Sequence, residues 1–174
     1  MEALSDLFSL NPILQKLTMR YFFKNSDEAV EMALQGLLSL TEVPLERVGE
    51  HLGVVYRGNV KRRVKLVVGG GSGHEPLFLG VAGPGMADGA VNGLVFAAPN
   101  PDSILAVIEA AGASDGTVLV YGNYSGDVLN FGVAAEEANA ERNKAGRDSR
   151  SRRHRIGATR QNGRCRIGFQ AVCC

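Results

Sequence analysis

The feature that most constrains the fold is an alternation of short apolar strands with amphipathic helices. Strands are predicted at residues 53–57, 64–68, 91–97 and 117–121. Helices with apolar positions at helical spacing are predicted at residues 25–40, 100–111 and 128–138. Because strands that alternate with helices in units of ~30 residues favour a parallel sheet, we predict an α/β fold with an N-terminal helix.

Capping residues mark the starts of two predicted helices. Asn25 is followed three positions later by Glu28, the spacing of a reciprocal cap. Asn100 precedes Pro101 and Asp102, which suit the first turn of a helix.

The sequence GGGSGHEP at residues 69–76 directly follows the predicted strand 64–68. Each glycine costs ~0.5–1 kcal/mol of conformational entropy, and a plain turn would not need four of them within five residues. We interpret the stretch as a loop that cradles a small ligand, with His74 as its working side chain. The alternative is a simple strand-to-helix connection.

A second polar loop, at residues 122–127, follows the predicted strand 117–121 and contains Asp127. The carboxyl ends of parallel strands meet at one edge of a sheet, so we expect His74 and Asp127 to face the same crevice. An imidazole and a carboxylate can act there as an acid/base pair on a polyhydroxylated or phosphorylated ligand. Taken by itself, Asp127 also suits a helix cap, which is worth ~1 kcal/mol.

Several other chemistries lack their sequence patterns. The glycine stretch has neither the spacing and lysine of a P-loop nor the spacing of a dinucleotide fingerprint. No Cys/His set has the spacing of a zinc site, and no Ser/His/Asp arrangement is recognisable. We therefore expect no metal site in this chain.

The net charge of +1 conceals an acidic body and a basic tail. Residues 1–140 contain nine Lys/Arg and sixteen Asp/Glu, a balance of −7, whereas residues 141–174 contain ten and two, a balance of +8. The tail has no apolar period, so we expect it to be disordered. Contact between this tail and nucleic acid is a weaker alternative, because the tail has few aromatic residues. No apolar run suits a membrane helix and no export signal is present, so a cytoplasmic location is expected.

Four motifs, in order, resemble the dihydroxyacetone kinase family, specifically its substrate-binding K subunit or K domain. They are GGGSGHEP at 69–76, GPGM at 83–86, VFAAPNPD at 95–102 and NYSGDVLNF at 123–131. The resemblance covers roughly residues 20–140. We therefore predict an N-terminal segment (1–24), a partial K domain with a parallel sheet (25–140) and an unstructured basic tail (141–174).

The resemblance implies phosphoryl transfer to the terminal hydroxyl of dihydroxyacetone or a similar ketose such as erythrulose. It implies that Gly71, Ser72, Gly73 and His74 contact the ketose, and that His74 and Asp127 act as acid and base on its hydroxyl. No cofactor is expected on this chain. The phosphoryl donor, ATP-Mg or a phosphocarrier, belongs to a separate L domain or subunit, and a homodimer is a further expectation.

Two departures from the family pattern affect these expectations. Many members have a lysine where this chain has Gly122, and its loss suggests a four-carbon ketose as substrate. The family's K unit is also about twice as long, and its second half supplies a histidine that binds the substrate carbonyl covalently. We therefore predict a truncated or frame-shifted unit that forms no covalent adduct. The alternatives are a non-catalytic module for a small ligand or phosphate and an inactive truncated gene product.

Overall fold

The computed structural model describes residues 23–58, 64–112, 115–145 and 167–172. The helices are α1 (Ser26–Leu40), α2 (Pro101–Ala111) and α3 (Ser125–Ala145), with a 3-10 turn at Leu79–Val81. The strands are β1 (Leu45–Arg47), β2 (Gly53–Tyr56), β3 (Val64–Ser72), β4 (Gly89–Val95), β5 (Gly116–Gly122) and β6 (Ile167–Val172).

The strands form one mixed sheet in the order β1-β2-β4-β3-β5-β6. At its centre β3 pairs in parallel with both β4 and β5. Strand β2 is antiparallel to β4, and the edge strands β1 and β6 are also antiparallel to their neighbours. The predicted α/β class is confirmed, and the predicted parallel arrangement is found in the three central strands.

Helices cover both faces of the sheet. Successive strand residues point to opposite faces, so each strand contributes to two apolar clusters. On one face, Val67 of β3 and Leu119 of β5 pack in the cluster that contains Phe131 of α3. On the other face, Val68 of β3 belongs to the cluster that contains Leu34 of α1. Both helical layers therefore hold the central strands in place.

The glycine stretch differs from the prediction, because β3 continues through it to Ser72 instead of ending at residue 68. Gly69 pairs with Val91 of β4 and with Tyr121 of β5. A Cβ atom at Gly69 would lie 2.5 Å from the Val91 carbonyl oxygen and 2.7 Å from Cζ of Phe131. The glycine therefore gives space for close packing inside the sheet, which the reading as a loop did not anticipate.

The predicted helix starts at Asn25 and Asn100 are confirmed. The Asn25 side chain accepts a hydrogen bond from the backbone N–H of Glu28 at 2.8 Å. The Asn100 side chain accepts one from the backbone N–H of Ser103 at 2.7 Å. Helix α3, however, begins at Ser125, three residues before the predicted start. Asp127 therefore lies inside its first turn instead of at the cap position.

Two segments of the tail differ from the expectation that it is unstructured. Helix α3 continues to Ala145, and Ile167–Val172 forms β6 along β5. Without β6 the outer edge of β5 would present unpaired backbone N–H and C=O groups, which favours such pairing. The rest of the tail, with its three cysteines, and nearly all of the predicted segment 1–24 lie outside the described residues. Within the described part of the chain, no helix has the length and apolarity to cross a membrane.

Candidate functional site

The candidate site lies at the edge of the sheet where the parallel strands β3 and β5 end. His74 comes two residues after the end of β3, and Asp127 comes five residues after the end of β5. Burial raises the pKa of the Asp127 carboxyl, and the smaller effect of the His74 charge lowers it. The structure thus places both predicted residues, which are 53 positions apart in the sequence, after neighbouring parallel strands at one edge of the sheet.

His74 is exposed, and its ring contacts an aromatic side chain. Its ring lies in edge contact with Phe96, with 5.5 Å between the ring centroids and 65° between the ring planes. Phe96 follows β4 and has 74% of its surface exposed. Gly73 has a φ of 103°, and a Cβ atom there would lie 2.8 Å from the Phe96 ring. A glycine at this position therefore lets the chain turn closely around Phe96 and present the imidazole.

Glu75 holds the turn that precedes it. Its carboxylate accepts a hydrogen bond at 2.9 Å from the backbone N–H of Gly73. This role of Glu75 was not predicted from the sequence. Gly73 is predicted to contact the ketose, and its backbone N–H already has an acceptor within the chain.

Ser72 is buried, with 2% of its surface exposed. Its hydroxyl donates to the carbonyl oxygen of Gly93 at 2.7 Å and accepts from the side-chain amide of Asn92 at 3.2 Å. Both partners belong to β4, so the hydroxyl ties the ends of β3 and β4 together. Contact between a ketose and Ser72 stays a prediction, and the hydroxyl itself is engaged in holding the sheet.

Gly71 lies beneath the chain that leaves β4. A Cβ atom at Gly71 would lie 2.9 Å from the backbone nitrogen of Ala97. The backbone N–H of Phe96 also donates to the carbonyl oxygen of Ser72 at 2.8 Å. The segment that carries Phe96 is therefore fixed against the end of β3.

Asp127 is buried, with 6% of its surface exposed. Among the described residues, its Oδ1 atom has no hydrogen-bond partner. Burial raises the pKa of the Asp127 carboxyl above its usual range, and the nearby charge of His74 opposes that rise. A buried carboxyl with a raised pKa is a stronger proton acceptor than an ordinary surface carboxylate, which suits acid/base chemistry.

Gly122 gives the Asp127 carboxylate its space. A Cβ atom at Gly122 would lie 2.8 Å from Oδ2 of Asp127 and 3.2 Å from Cδ2 of Tyr124. Any larger residue would therefore push against the carboxylate or the Tyr124 ring.

Tyr121, the residue before Gly122, packs against α3. Its ring stacks on Phe131 of α3, with 4.5 Å between the centroids and 13° between the planes. Burial, with a smaller effect of the Asp127 charge, raises the pKa of the Tyr121 hydroxyl. The start of α3 is also anchored, because the side-chain amide of Asn130 donates to the carbonyl oxygen of Pro99 at 2.8 Å. These contacts were not predicted, because they depend on how α3 packs on the sheet.

A cavity of about 340 Å³ opens beside His74. Most of its lining is hydrocarbon, and Gly122 and Tyr124 stand beside His74 among its lining residues. As for metals, the described ranges contain no group of three or more His, Cys, Asp or Glu side chains that could hold an ion.

Comparison with known proteins gives one family match and several similar proteins. The Dak1 domain family matches residues 35–147. The chain is 40% identical over 130 residues to an L-erythrulose 1-kinase of Mycolicibacterium smegmatis, covering 71% of this chain and 21% of that protein. It is 43% identical over 125 residues to the dihydroxyacetone-binding subunit DhaK of a PTS-dependent dihydroxyacetone kinase of Listeria innocua, covering 71% and 37%.

The fold is similar to that of a solved kinase. The crystal structure of the dihydroxyacetone kinase from C. freundii, in complex with AMP-PNP and Mg²⁺, matches with a TM-score of 0.64 and 38% sequence identity. The match covers 72% of this chain and 24% of that chain. In all three comparisons the chain spans well under half of the other protein.

Proposed function

Because the chain belongs to the Dak1 domain family, we propose that it is the ketose-binding part of a dihydroxyacetone-type kinase. One observation supports the proposal: His74 and Asp127 both follow parallel strands at the same carboxyl edge of the sheet, beside the glycine-rich end of β3. Two relatives support the choice of ligand, since one is named an erythrulose kinase and the other a dihydroxyacetone-binding subunit.

In the proposed reaction, a terminal hydroxyl of the ketose is the nucleophile. His74 and Asp127 position this hydroxyl and take up its proton, which raises the nucleophilicity of the oxygen toward a phosphoryl group. An imidazole can accept or release a proton near neutral pH. The raised pKa of Asp127 makes its carboxylate a better proton acceptor than a surface aspartate. Position and neutralisation of charge supply most of the rate in phosphoryl transfer.

The phosphoryl donor is proposed to come from a separate L domain or subunit, as ATP-Mg or a phosphocarrier. The glycine stretch of this chain lacks the lysine and the spacing of a P-loop. A homodimer and a cytoplasmic location complete the proposal.

Erythrulose is proposed as a substrate beside dihydroxyacetone. Gly122 has no side chain next to Asp127, and it lines the cavity beside His74. The lysine of many family members is therefore absent at this point, and its absence is the basis for proposing a four-carbon ketose. Replacing Gly122 with lysine should shift the preference toward the three-carbon ketose, and an unchanged preference would contradict this assignment.

The test is a calorimetric titration of the 174-residue chain with dihydroxyacetone and with erythrulose. We expect saturable binding, weakened about tenfold or more by His74→Ala, which removes a hydrogen bond to the ketose. Asp127→Asn should also weaken binding, because it replaces a charge-assisted hydrogen bond with a neutral one. His51→Ala is the matched control, because His51 contacts Ser103 of α2 and should not affect ketose binding. Equal affinity of the His74→Ala variant and the wild type would contradict the proposed site.

Adding an L partner and its donor separates the kinase from the alternative of a non-catalytic binding module. Phosphorylated ketose is expected for the kinase, whereas the binding module gives ketose binding without product. Mass spectrometry of the chain after incubation with ketose is expected to show no stable covalent adduct. An adduct on His154 would overturn that part of the proposal.

A further inference from the structure

The cavity beside His74 has a chemical character that the ketose does not explain. Five of its nine lining residues are apolar: Val68 of β3, Val120 of β5, and Leu77, Phe78 and Val81 of the segment that follows the glycine stretch. The other four are His74, Tyr121, Gly122 and Tyr124. Four of the apolar residues, Val68, Phe78, Val81 and Val120, belong to the apolar cluster on the face of the sheet that α1 covers, whereas Leu77 is 48% exposed. The wall is therefore hydrocarbon over most of its area.

A small ketose carries a hydroxyl or carbonyl group on every carbon. Such groups lose their hydrogen bonds to water when they are buried against aliphatic side chains, and that loss opposes binding. The Ser72 hydroxyl is already bound to Gly93 and Asn92, and Asp127 is not among the residues that line the cavity. The ketose therefore suits the polar edge at His74 and Asp127 better than the cavity itself.

We propose that the cavity is a second recognition site, which takes the aryl or branched alkyl part of a small hydroxyketone whose polar end lies at His74. Its volume of about 340 Å³ is at the lower end of the ~300–1,000 Å³ typical of small-molecule sites. Three further lining residues, His74, Tyr121 and Tyr124, carry polar groups that can orient the carbonyl and hydroxyl groups. Sites of this kind usually combine an apolar wall with a few polar groups that fix orientation. The inference does not depend on phosphoryl transfer.

The probe is 2-hydroxy-1-phenylethanone, which has the hydroxyketone end of dihydroxyacetone and a phenyl ring in place of one hydroxymethyl group. NMR titrations of the full chain are run in parallel with this probe and with dihydroxyacetone. We expect the Kd of the aryl probe to be lower than that of dihydroxyacetone by about tenfold or more, because its ring moves from water to the apolar wall. Equal or weaker binding of the aryl probe overturns the proposal.

Val120→Phe places a ring in the cavity and should remove the advantage of the aryl probe. Val133→Phe is the matched control, since it makes the same change on the exposed side of α3, where 43% of Val133 is exposed. An aryl preference that survives Val120→Phe contradicts the assignment of the cavity.

A second measurement covers the case in which Val120→Phe does not fold. In the wild-type complex, magnetisation transfer is expected between the phenyl protons of the probe and the methyl groups of Leu77 and Val81. Its absence at saturation also contradicts the proposal. Because dihydroxyacetone is titrated separately, failure of ketose binding and failure of aryl binding give different results.

Discussion

Gly69→Ala should destabilise the protein, although alanine is ordinarily better tolerated than glycine inside a strand. The added Cβ atom would lie 2.5 Å from the Val91 carbonyl oxygen and 2.7 Å from Cζ of Phe131, where ordinary contacts are ~3.5 Å. The Val91 oxygen belongs to the sheet backbone and cannot move away without disturbing the β3–β4 pairing. Overpacking of this kind costs about 1–3 kcal/mol, and the entropic advantage of alanine offsets only about 0.5–1 kcal/mol.

Urea unfolding followed by circular dichroism measures this loss. We expect a lower midpoint with an unchanged slope, and a fall in melting temperature of about 2–4 °C for each kcal/mol. Gly36→Ala is the matched control, because no atom lies within 4 Å of the added Cβ and the residue is inside α1. The control should gain about 0.5–1 kcal/mol, so the same substitution gives opposite signs at the two positions.

A Gly69→Ala variant as stable as the wild type would refute the packing argument. A loss of equal size in Gly36→Ala would refute it too, since the effect would then not depend on the close contacts of Gly69.

Two further predictions concern Asp127 and the start of α2. Because burial raises the pKa of Asp127, the folded state holds its proton more tightly than the unfolded state, and the stability of the wild type should fall relative to Asp127→Asn as pH rises above ~4. If the free energies of unfolding of the wild type and of Asp127→Asn changed in the same way across pH 4–8, this prediction would be wrong. Asn100→Ala should cost ~1 kcal/mol by removing the cap on the Ser103 N–H, while Asn100→Asp keeps an acceptor and should retain most of the stability. Equal losses in these two variants would argue against the cap.

The general fold and the position of His74 and Asp127 at one edge of the sheet could be predicted because they follow from local patterns and one topological rule. Alternating strands and helices predict a parallel sheet, and parallel strands end at the same edge. No distance information is needed for that step. The helix starts at Asn25 and Asn100 were predictable for the same reason, since a cap acts within four residues.

The contacts across the sheet could not be predicted in this way. The glycines of β3 were interpreted as a ligand loop, because nothing in the sequence shows that the Val91 backbone and Phe131 approach Gly69. The pairing of β6 with β5 joins segments about 50 residues apart and follows from an available strand edge instead of a local signal. The position of Phe96 beside His74 likewise depends on where β4 ends relative to β3.

The hydrogen bond from the Gly73 N–H to Glu75 has a consequence for any ligand at this turn. A carboxylate tethered two residues away has an effective concentration on the order of millimolar or higher at its partner. A ligand oxygen that binds the same N–H must displace the Glu75 carboxylate. The measured free energy of binding therefore contains only the difference between the two hydrogen bonds. If residue 75 had no carboxylate to accept this hydrogen bond, the Gly73 N–H would be available to a ligand without that competition.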